Sequence, residues 1–374
     1  MPPPLVALCY GTRPQVIKAS ALRREFAPAC QVLAVDTGQH YDHVLNGLLY
    51  QQLGVDPPDL FLEVGSGSHA EQTAAIMLRT AALLEERKPA AAVVIGDTNS
   101  TLGCALAAAK LRVPVVHVEA GLRADDAHLA EEINRRTVDA FAALLCTPGR
   151  TATGRLRRER PEATVVETGD VAFDVLLRCQ DRLPDPRDVL ATATPPYIFA
   201  TLHRAELTND PSVLGLALDA LGALDLPVVL ALHPRTRAAL DAAGIREEKM
   251  GHSLHLTPAV GYLESLALVQ GADVVVTDSG GLQREAYWMG TPCVTLREES
   301  EWVETVELGA NCVVDPGVAD RALGPAVRAQ QERWRDGATW DRHQYGRGDA
   351  ARRIAGAVVE WIASREGGPM GRPS

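Results

Sequence analysis

Cysteine is scarce and scattered. Cys9, Cys30, Cys104, Cys146, Cys179, Cys293 and Cys312 form no CxxC pair, which argues against a structural zinc, and their apolar strand or helix contexts read as buried thiols of a cytosolic protein. No apolar run reaches the roughly 18 residues that cross a bilayer, and the start Met1-Pro-Pro-Pro-Leu-Val-Ala has neither a basic n-region nor a full apolar h-region. A cytoplasmic chain with no membrane partner is therefore expected. Positive charge is in the minority: 37 Lys and Arg stand against 48 Asp and Glu, a formal net charge of −11, and no Lys/Arg-rich block marks a nucleic-acid footprint. Any anionic ligand has to be held by a local cluster. There is also no GxGxxG at the first strand-to-helix turn and no GxxxxGK[ST] anywhere, so dinucleotide and P-loop readings fall away.

What the chain does have is 374 residues, 46% of them hydrophobic, enough for two or three domain cores. Short apolar runs alternate with longer amphipathic stretches, the pattern of parallel sheets wrapped in helices. The runs of the first half are Leu5–Cys9, Val32–Asp36, Ala91–Ile95, Val113–Val118, Ala143–Cys146 and a weaker Val165–Val166. Those of the second half are Tyr197–Leu202, Val228–Leu232, Leu254–Leu256, Val274–Thr277, Cys293–Leu296 and Cys312–Val314. The expected fold is α/β, with two Rossmann-like, doubly wound domains facing across a cleft. The Pro- and Asp-rich stretch Asp170–Pro196 reads as boundary and linker. It separates an N-terminal domain over 1–170 from a C-terminal domain over 171–348, followed by a helix over 349–366 and a disordered Gly/Pro tail over 367–374.

Ligands of open α/β sheets bind outside the carboxyl ends of the strands, so the residues directly after each run carry the information. Here they are Gly11-Thr12-Arg13-Pro14 with Lys18 beyond, Gly96-Asp97-Thr98, Glu119 to Arg123, His203-Arg204, His233-Pro234 and Asp278-Ser279-Gly280-Gly281. Ser279, Gly280 and Gly281 open a helix whose exposed amides and positive dipole end suit a diphosphate, although a plain turn also uses glycine this way. Glu285, about one and a half turns further, can accept from both hydroxyls of a ribose. Asp97, Glu119 and Glu131 invite a proton-transfer reading. Taken alone, Asp97 also reads as a helix N-cap and Glu131-Glu132 as a solvated helix start. His203 reads as a cleft histidine, His233 is also readable as structural, and His40 and His117 stay open.

Taken together, Gly11-Thr-Arg-Pro-Gln-Val-Ile-Lys18, Thr37-Gly-Gln-His40, Gly96-Asp-Thr98, His117-Val-Glu-Ala-Gly-Leu-Arg123, Glu131-Glu-Ile-Asn-Arg135, His203-Arg204, His233-Pro234 and Thr277-Asp-Ser-Gly-Gly-Leu-Gln-Arg-Glu-Ala286 resemble the non-hydrolysing UDP-N-acetylglucosamine 2-epimerases, which have the GT-B fold. The resemblance runs from Gly11 to about Val314. It implies UDP binding by Arg13, His203, Ser279, Gly280, Gly281 and Glu285, and catalysis by Lys18, Asp97, Glu119 and Glu131, with His203 often counted among them. Arg123, Arg135 and His233 are implied as further substrate contacts, and Gln39 and His40 as survivors of an allosteric UDP-GlcNAc site. No metal and no cofactor are implied, and a homodimer is, with the alanine-rich helices around Glu71–Leu84 and Thr101–Leu111 as interface material.

The implied reaction is reversible conversion of UDP-GlcNAc to UDP-ManNAc, by anti elimination of UDP to 2-acetamidoglucal and syn re-addition. Alternatives are a C2 epimerase of a modified UDP-sugar such as a diacetamido-uronate, or a hydrolysing epimerase that releases ManNAc and UDP. The segment Glu301-Trp302-Val303-Glu304 resembles a branch that includes archaeal-type enzymes and epimerases of diacetamido-uronic UDP-sugars. A GT-B glycosyltransferase would leave the acids and Lys18 surplus, and a silent sugar-nucleotide sensor would have no need of acids on both faces of a sugar.

Overall fold

A computed structural model describes residues 2–39, 43–124, 126–245, 251 and 253–366. His40 and the expected tail over 367–374 lie outside the described residues. The chain divides into two compact units, Met1–Arg178 with His343–Ser374, and Cys179–Arg342.

Among the described residues the first unit is a seven-stranded parallel sheet. Its strands are β1 Leu5–Tyr10, β2 Gln31–Asp36, β3 Leu60–Phe61, β4 Ala91–Ile95, β5 Val115–Val118, β6 Leu144–Thr147 and β7 Thr164–Glu167, in the order β3-β2-β1-β4-β5-β6-β7. The second unit has β8 Ile198–Leu202, β9 Val228–Leu232, β10 Leu254–Pro258, β11 Val274–Thr277, β12 Cys293–Leu296 and β13 Asn311–Val314, in the order β10-β9-β8-β11-β12-β13, again parallel. Helices cover both faces of such a sheet, so its central strands read as continuous apolar runs rather than alternating ones. Ala91–Ile95 and Val228–Leu232 are buried at every position. β3, absent from the sequence reading, pairs only Leu60 with Val35 and Phe61 with Asp36, too short to leave a pattern.

In each sheet the winding reverses direction once, between β1 and β4 in the first unit and between β8 and β11 in the second. At such a point the connections diverge to opposite sides and open a crevice at the carboxyl ends.

The stretch expected as a linker is in part a packed helix. Val171–Cys179 buries Val171, Phe173, Val175 and Leu176, so the first unit runs on to Arg178. Its Asp174 accepts the amides of Ala350 at 3.1 Å and Ala351 at 2.7 Å, capping the helix Ala350–Glu366 as an N-cap side chain would. That helix packs on Arg13–Phe26 and β6, with Ile354, Val358 and Ile362 buried. Elsewhere in the unit, helices His69–Arg87 and Asn99–Lys110 approach closely at Gly103, where a side chain would come within 2.7 Å of Ile76.

Candidate active site

In the first unit the turn after β1 is stitched shut from below. Gln15, 3% exposed, accepts the amides of Gly11 at 2.9 Å and Thr12 at 3.2 Å through Oε1, and donates through Nε2 to the Ile95 carbonyl at 2.5 Å and to Thr98 and Thr101. One amide thus joins the ends of β1 and β4 across the switch point. Gly11 is needed there because a side chain would collide with Thr37 and Ser100. Arg13 opens the helix Arg13–Phe26, half-buried, and Lys18 lies one turn on, buried.

The expected acids sit on the next two strands. Glu119 follows β5 in the left-handed region, φ 68°, with its carboxylate ion-paired to Lys18. The same carboxylate lies against Gly96, where an added side chain would meet Oε2 at 3.4 Å. Asp97 is ion-paired to Arg135, and its carbonyl accepts from Asn134 at 2.9 Å. Asp97 is not the helix cap: Thr98 takes that place by accepting the Thr101 amide, which leaves the Asp97 carboxylate for Arg135. Glu131 is exposed on the first turn of Ala130–Phe141, as expected for a helix start. Glu132 is not: it is fully buried and accepts from the Ala124 amide at 3.0 Å and from Arg136 at 2.5 Å.

Behind these acids lies a buried charge network. His117, in β5, has an acceptor against each ring nitrogen: Asp139 Oδ1 at Nδ1 and the Gly96 carbonyl at Nε2, both 2.7 Å. Asp139 also accepts the Gly121 amide at 3.1 Å and Arg123 at 2.7 Å. Burial acts to raise the Asp139 carboxyl, but His117 and Arg123 outweigh it and hold the group below its ordinary value. The network fixes the backbone on both sides of the acids, at Gly96 and at Gly121. Arg123, expected on substrate, is committed here to Asp139, to Glu159 at 2.6 Å and to its own Leu122 carbonyl at 2.7 Å. Gln39 accepts from the amide and hydroxyl of Ser100, at 2.9 and 2.7 Å.

In the second unit the residue after β11 is Asp278, and Ser279 caps the helix Gly280–Met289, accepting from the Leu282 amide. The first-turn amides of that helix have no intrahelical acceptor and make up its positive dipole end. Gly280 is crowded, since a side chain there would lie 2.7 Å from Glu301. Gly281 is not: among the described residues, its chain neighbours and its own helix backbone aside, an added Cβ would meet within 4 Å only Ser279 Oγ at 3.7 Å, an ordinary contact, and its φ is not positive. Neither packing nor backbone requires glycine at 281. Glu285, half-buried, lies further along the same helix.

His203 follows β8 and neighbours this turn, with 34% of its side chain exposed. Burial holds its imidazole below the ordinary value, Arg204 and Arg235 add to that, and Asp278 and Glu206 oppose it. His233 is exposed and caps the helix Pro234–Ala243, its Nδ1 accepting the Arg235 amide at 3.2 Å. The two imidazole rings lie 5.2 Å apart. Glu301 pairs with Arg297 at 2.7 Å, and Arg284 stacks on Trp302 with its guanidinium 4.0 Å from the ring centre.

Sequence reasoning passed over Gln15, Glu132 and Asp139 and left His117 open. A glutamine three residues past a Thr cap was the one available signal for Gln15. The burial of the other three depends on partners remote in sequence.

Two doubly wound parallel sheets, with ion-paired acids at one switch point and a glycine-bearing helix start beside a histidine at the other, define a GT-B protein. The profile of the UDP-N-acetylglucosamine 2-epimerase family matches residues 23–359. The chain is 39% identical over 353 residues to the UDP-2,3-diacetamido-2,3-dideoxy-D-glucuronate 2-epimerase of Pseudomonas aeruginosa, covering 92% of this chain and 96% of that one. It is 33% identical over 361 residues to the UDP-N-acetylglucosamine 2-epimerase of Methanocaldococcus jannaschii, covering 93% and 97%. The crystal structure of the Methanocaldococcus jannaschii enzyme in complex with UDP-GlcNAc and UDP superposes with a TM-score of 0.87 at 32% identity, over 95% of this chain and 99% of that one. The chain belongs to the UDP-N-acetylglucosamine 2-epimerase family and is an isomerase of UDP-sugars.

Proposed function

We propose that this chain inverts C2 of a UDP-linked 2-acetamido sugar by reversible elimination of UDP, with UDP-GlcNAc and UDP-ManNAc as the substrate pair. The observation that carries the reading is the pair of carboxylates, Asp97 and Glu119, held by Arg135 and Lys18 at the ends of neighbouring strands and tied together through Gly96. A nucleotide-binding module has no use for such a pair, whereas inverting a carbon needs a proton removed on one face and delivered on the other. Glu131, exposed at its helix start, is assigned as the third acid.

The order of events follows from the sugar. Its C2–H is not adjacent to a ring carbonyl, so direct deprotonation is too slow. Ionising the C1–O bond first creates an oxocarbenium-like centre that acidifies C2–H. Charge then develops on the departing diphosphate, where the amides of Gly280 and Gly281, Arg13 and His203 are assigned to receive it. Glu285 is assigned to the ribose hydroxyls, and no step calls for a metal or a cofactor.

A second reading, C2 epimerisation of a 2,3-diacetamido-uronate, is favoured by the 39% identity to the Pseudomonas aeruginosa enzyme of that name. The homodimer also belongs to the proposal: Leu78 stands 67% exposed on the helix His69–Arg87.

Proton NMR in heavy water with each UDP-sugar tests the reading. Deuterium at C2 of a UDP-linked epimer establishes the elimination route, and the sugar that turns over identifies the substrate. Free ManNAc plus UDP would replace the proposal by hydrolysis.

A further inference from the structure

The strongest polar arrangement outside the acids is built on Asp278, a residue to which no role has so far been given. β8 and β11 are hydrogen-bonded neighbours in register through Thr201 and Thr277, so the residues just past their ends lie side by side. Asp278 is fully buried there. Its Oδ2 accepts two consecutive backbone amides, His203 at 2.7 Å and Arg204 at 2.8 Å. Its Oδ1 is buried as well, makes no hydrogen bond among the described residues, and faces Nδ1 of His203 at 3.5 Å.

We propose that Asp278 is the positioning residue for His203: Oδ2 fixes the backbone that carries the imidazole, and Oδ1 fixes its tautomer with the proton on Nδ1. Nε2 is then the nitrogen that takes up the second proton, and the ring, its charge favoured by the Asp278 carboxylate, donates from Nε2 to the nucleotide diphosphate as an imidazolium. The inference rests on the reading that His203 serves the departing UDP. A buried carboxylate oxygen without a donor is costly, and an Nδ1 lone pair turned toward it would add repulsion. An Nδ1–H turned toward it removes both penalties. The neighbouring histidine is set the other way. His233 spends its Nδ1 lone pair on the Arg235 amide, so its neutral ring carries the proton on Nε2. The two neighbouring imidazoles, 5.2 Å apart and tilted by 34°, thus hold opposite tautomers. The other charged groups acting on His203 are Arg204, Arg235 and Glu206.

The test is long-range nitrogen–proton NMR on the full chain labelled in histidine, with His203→Asn to assign the signal, alongside kinetics of Asp278→Asn. The wild type is expected to show Nδ1–H at His203. In Asp278→Asn the side-chain carbonyl can keep both backbone amides while its NH2 replaces Oδ1 by a donor, so the proton moves to Nε2. The His203 titration also moves to lower pH, because the charge that favoured the imidazolium is gone. Turnover falls at least about tenfold while UDP affinity stays within about threefold. The double variant with His203→Asn is no slower than His203→Asn alone, since Asp278 acts through the ring.

Nε2–H in the wild type, full turnover in Asp278→Asn, or additive losses in the double variant would each overturn the proposal. If Asp278→Asn fails to fold, the wild-type tautomer decides. If the wild type epimerises no UDP-sugar, the reaction reading fails, and the tautomer of the neutral ring, measured without nucleotide, still decides the role of Asp278.

Discussion

The two units wind their sheets alike and use their switch points differently. Between β1 and β4 the backbone is knitted tight: Gln15 holds both strand ends, Gly11 leaves no room beside Thr37 and Ser100, and the nearby acids are already ion-paired to Lys18 and Arg135. Between β8 and β11 the buried Asp278 secures the turn from behind, and the helix start in front of it keeps open space over Gly281. One switch point positions charges of its own, and the other leaves its helix start uncovered, as the proposed binding of a diphosphate there requires. The same winding supports either outcome because the crevice comes from chain direction alone and its chemistry comes from the few residues after each strand.

The sharpest test of this division is to remove a charge from the first switch point. Asp97→Asn or Glu119→Gln should lower turnover by about 10²–10⁴-fold while UDP affinity measured by calorimetry stays within about threefold. A comparable loss of UDP affinity would break the comparison.

The first unit also carries a pH dependence of its own. Burial pushes the Asp174 carboxyl up to about 6, against the amides of Ala350 and Ala351, which favour the charged form. The unfolded chain titrates the group near its ordinary 3.8. The neutral form is therefore favoured by folding, its contribution is complete below about pH 4, and it is lost as pH rises through about 6. Between those limits the urea stability of the wild type should fall relative to Asp174→Asn by up to about 3 kcal/mol. Parallel curves would mean that the amides of Ala350 and Ala351 offset the burial and leave the carboxyl at its ordinary value.

At the second switch point, Gly281→Ala should fold at least as well as the wild type, gaining about 1 kcal/mol in helix propensity. It should bind UDP about tenfold more weakly, because the methyl group occupies the space kept open. Unchanged affinity would show that the space is not for the nucleotide. Glu285→Ala should weaken UDP binding by a similar or smaller factor. The smallest effect is expected at Leu78→Glu, within about 0.5 kcal/mol in monomer stability, with dimer dissociation visible by sedimentation. A variant that sediments as the wild type would move the proposed interface elsewhere.

Much of this could be read in the sequence because a strand covered on both faces shows as an unbroken apolar run and the residues after it are the informative ones. Glu119, His203 and Ser279 to Gly281 were singled out that way. What could not be read was decided by partners far along the chain. Asp97 resembled a cap until Thr98 took the cap and Arg135 took the acid. Glu132 resembled surface beside Glu131, yet it is buried among Arg123, Arg135 and Arg136. The Pro- and Asp-rich stretch read as a boundary, but composition did not reveal that Val171–Cys179 packs into the first unit.

The return of the chain at His343 makes the second unit an insertion within the first. During synthesis, a nascent chain that has reached Arg342 holds every residue of the second unit, while the first still lacks Ile354, Val358 and the amides that engage Asp174. Domains generally fold as their residues emerge, and here the unit that starts first is the one completed last. A premature stop within the final helix therefore damages the unit at the opposite end of the gene.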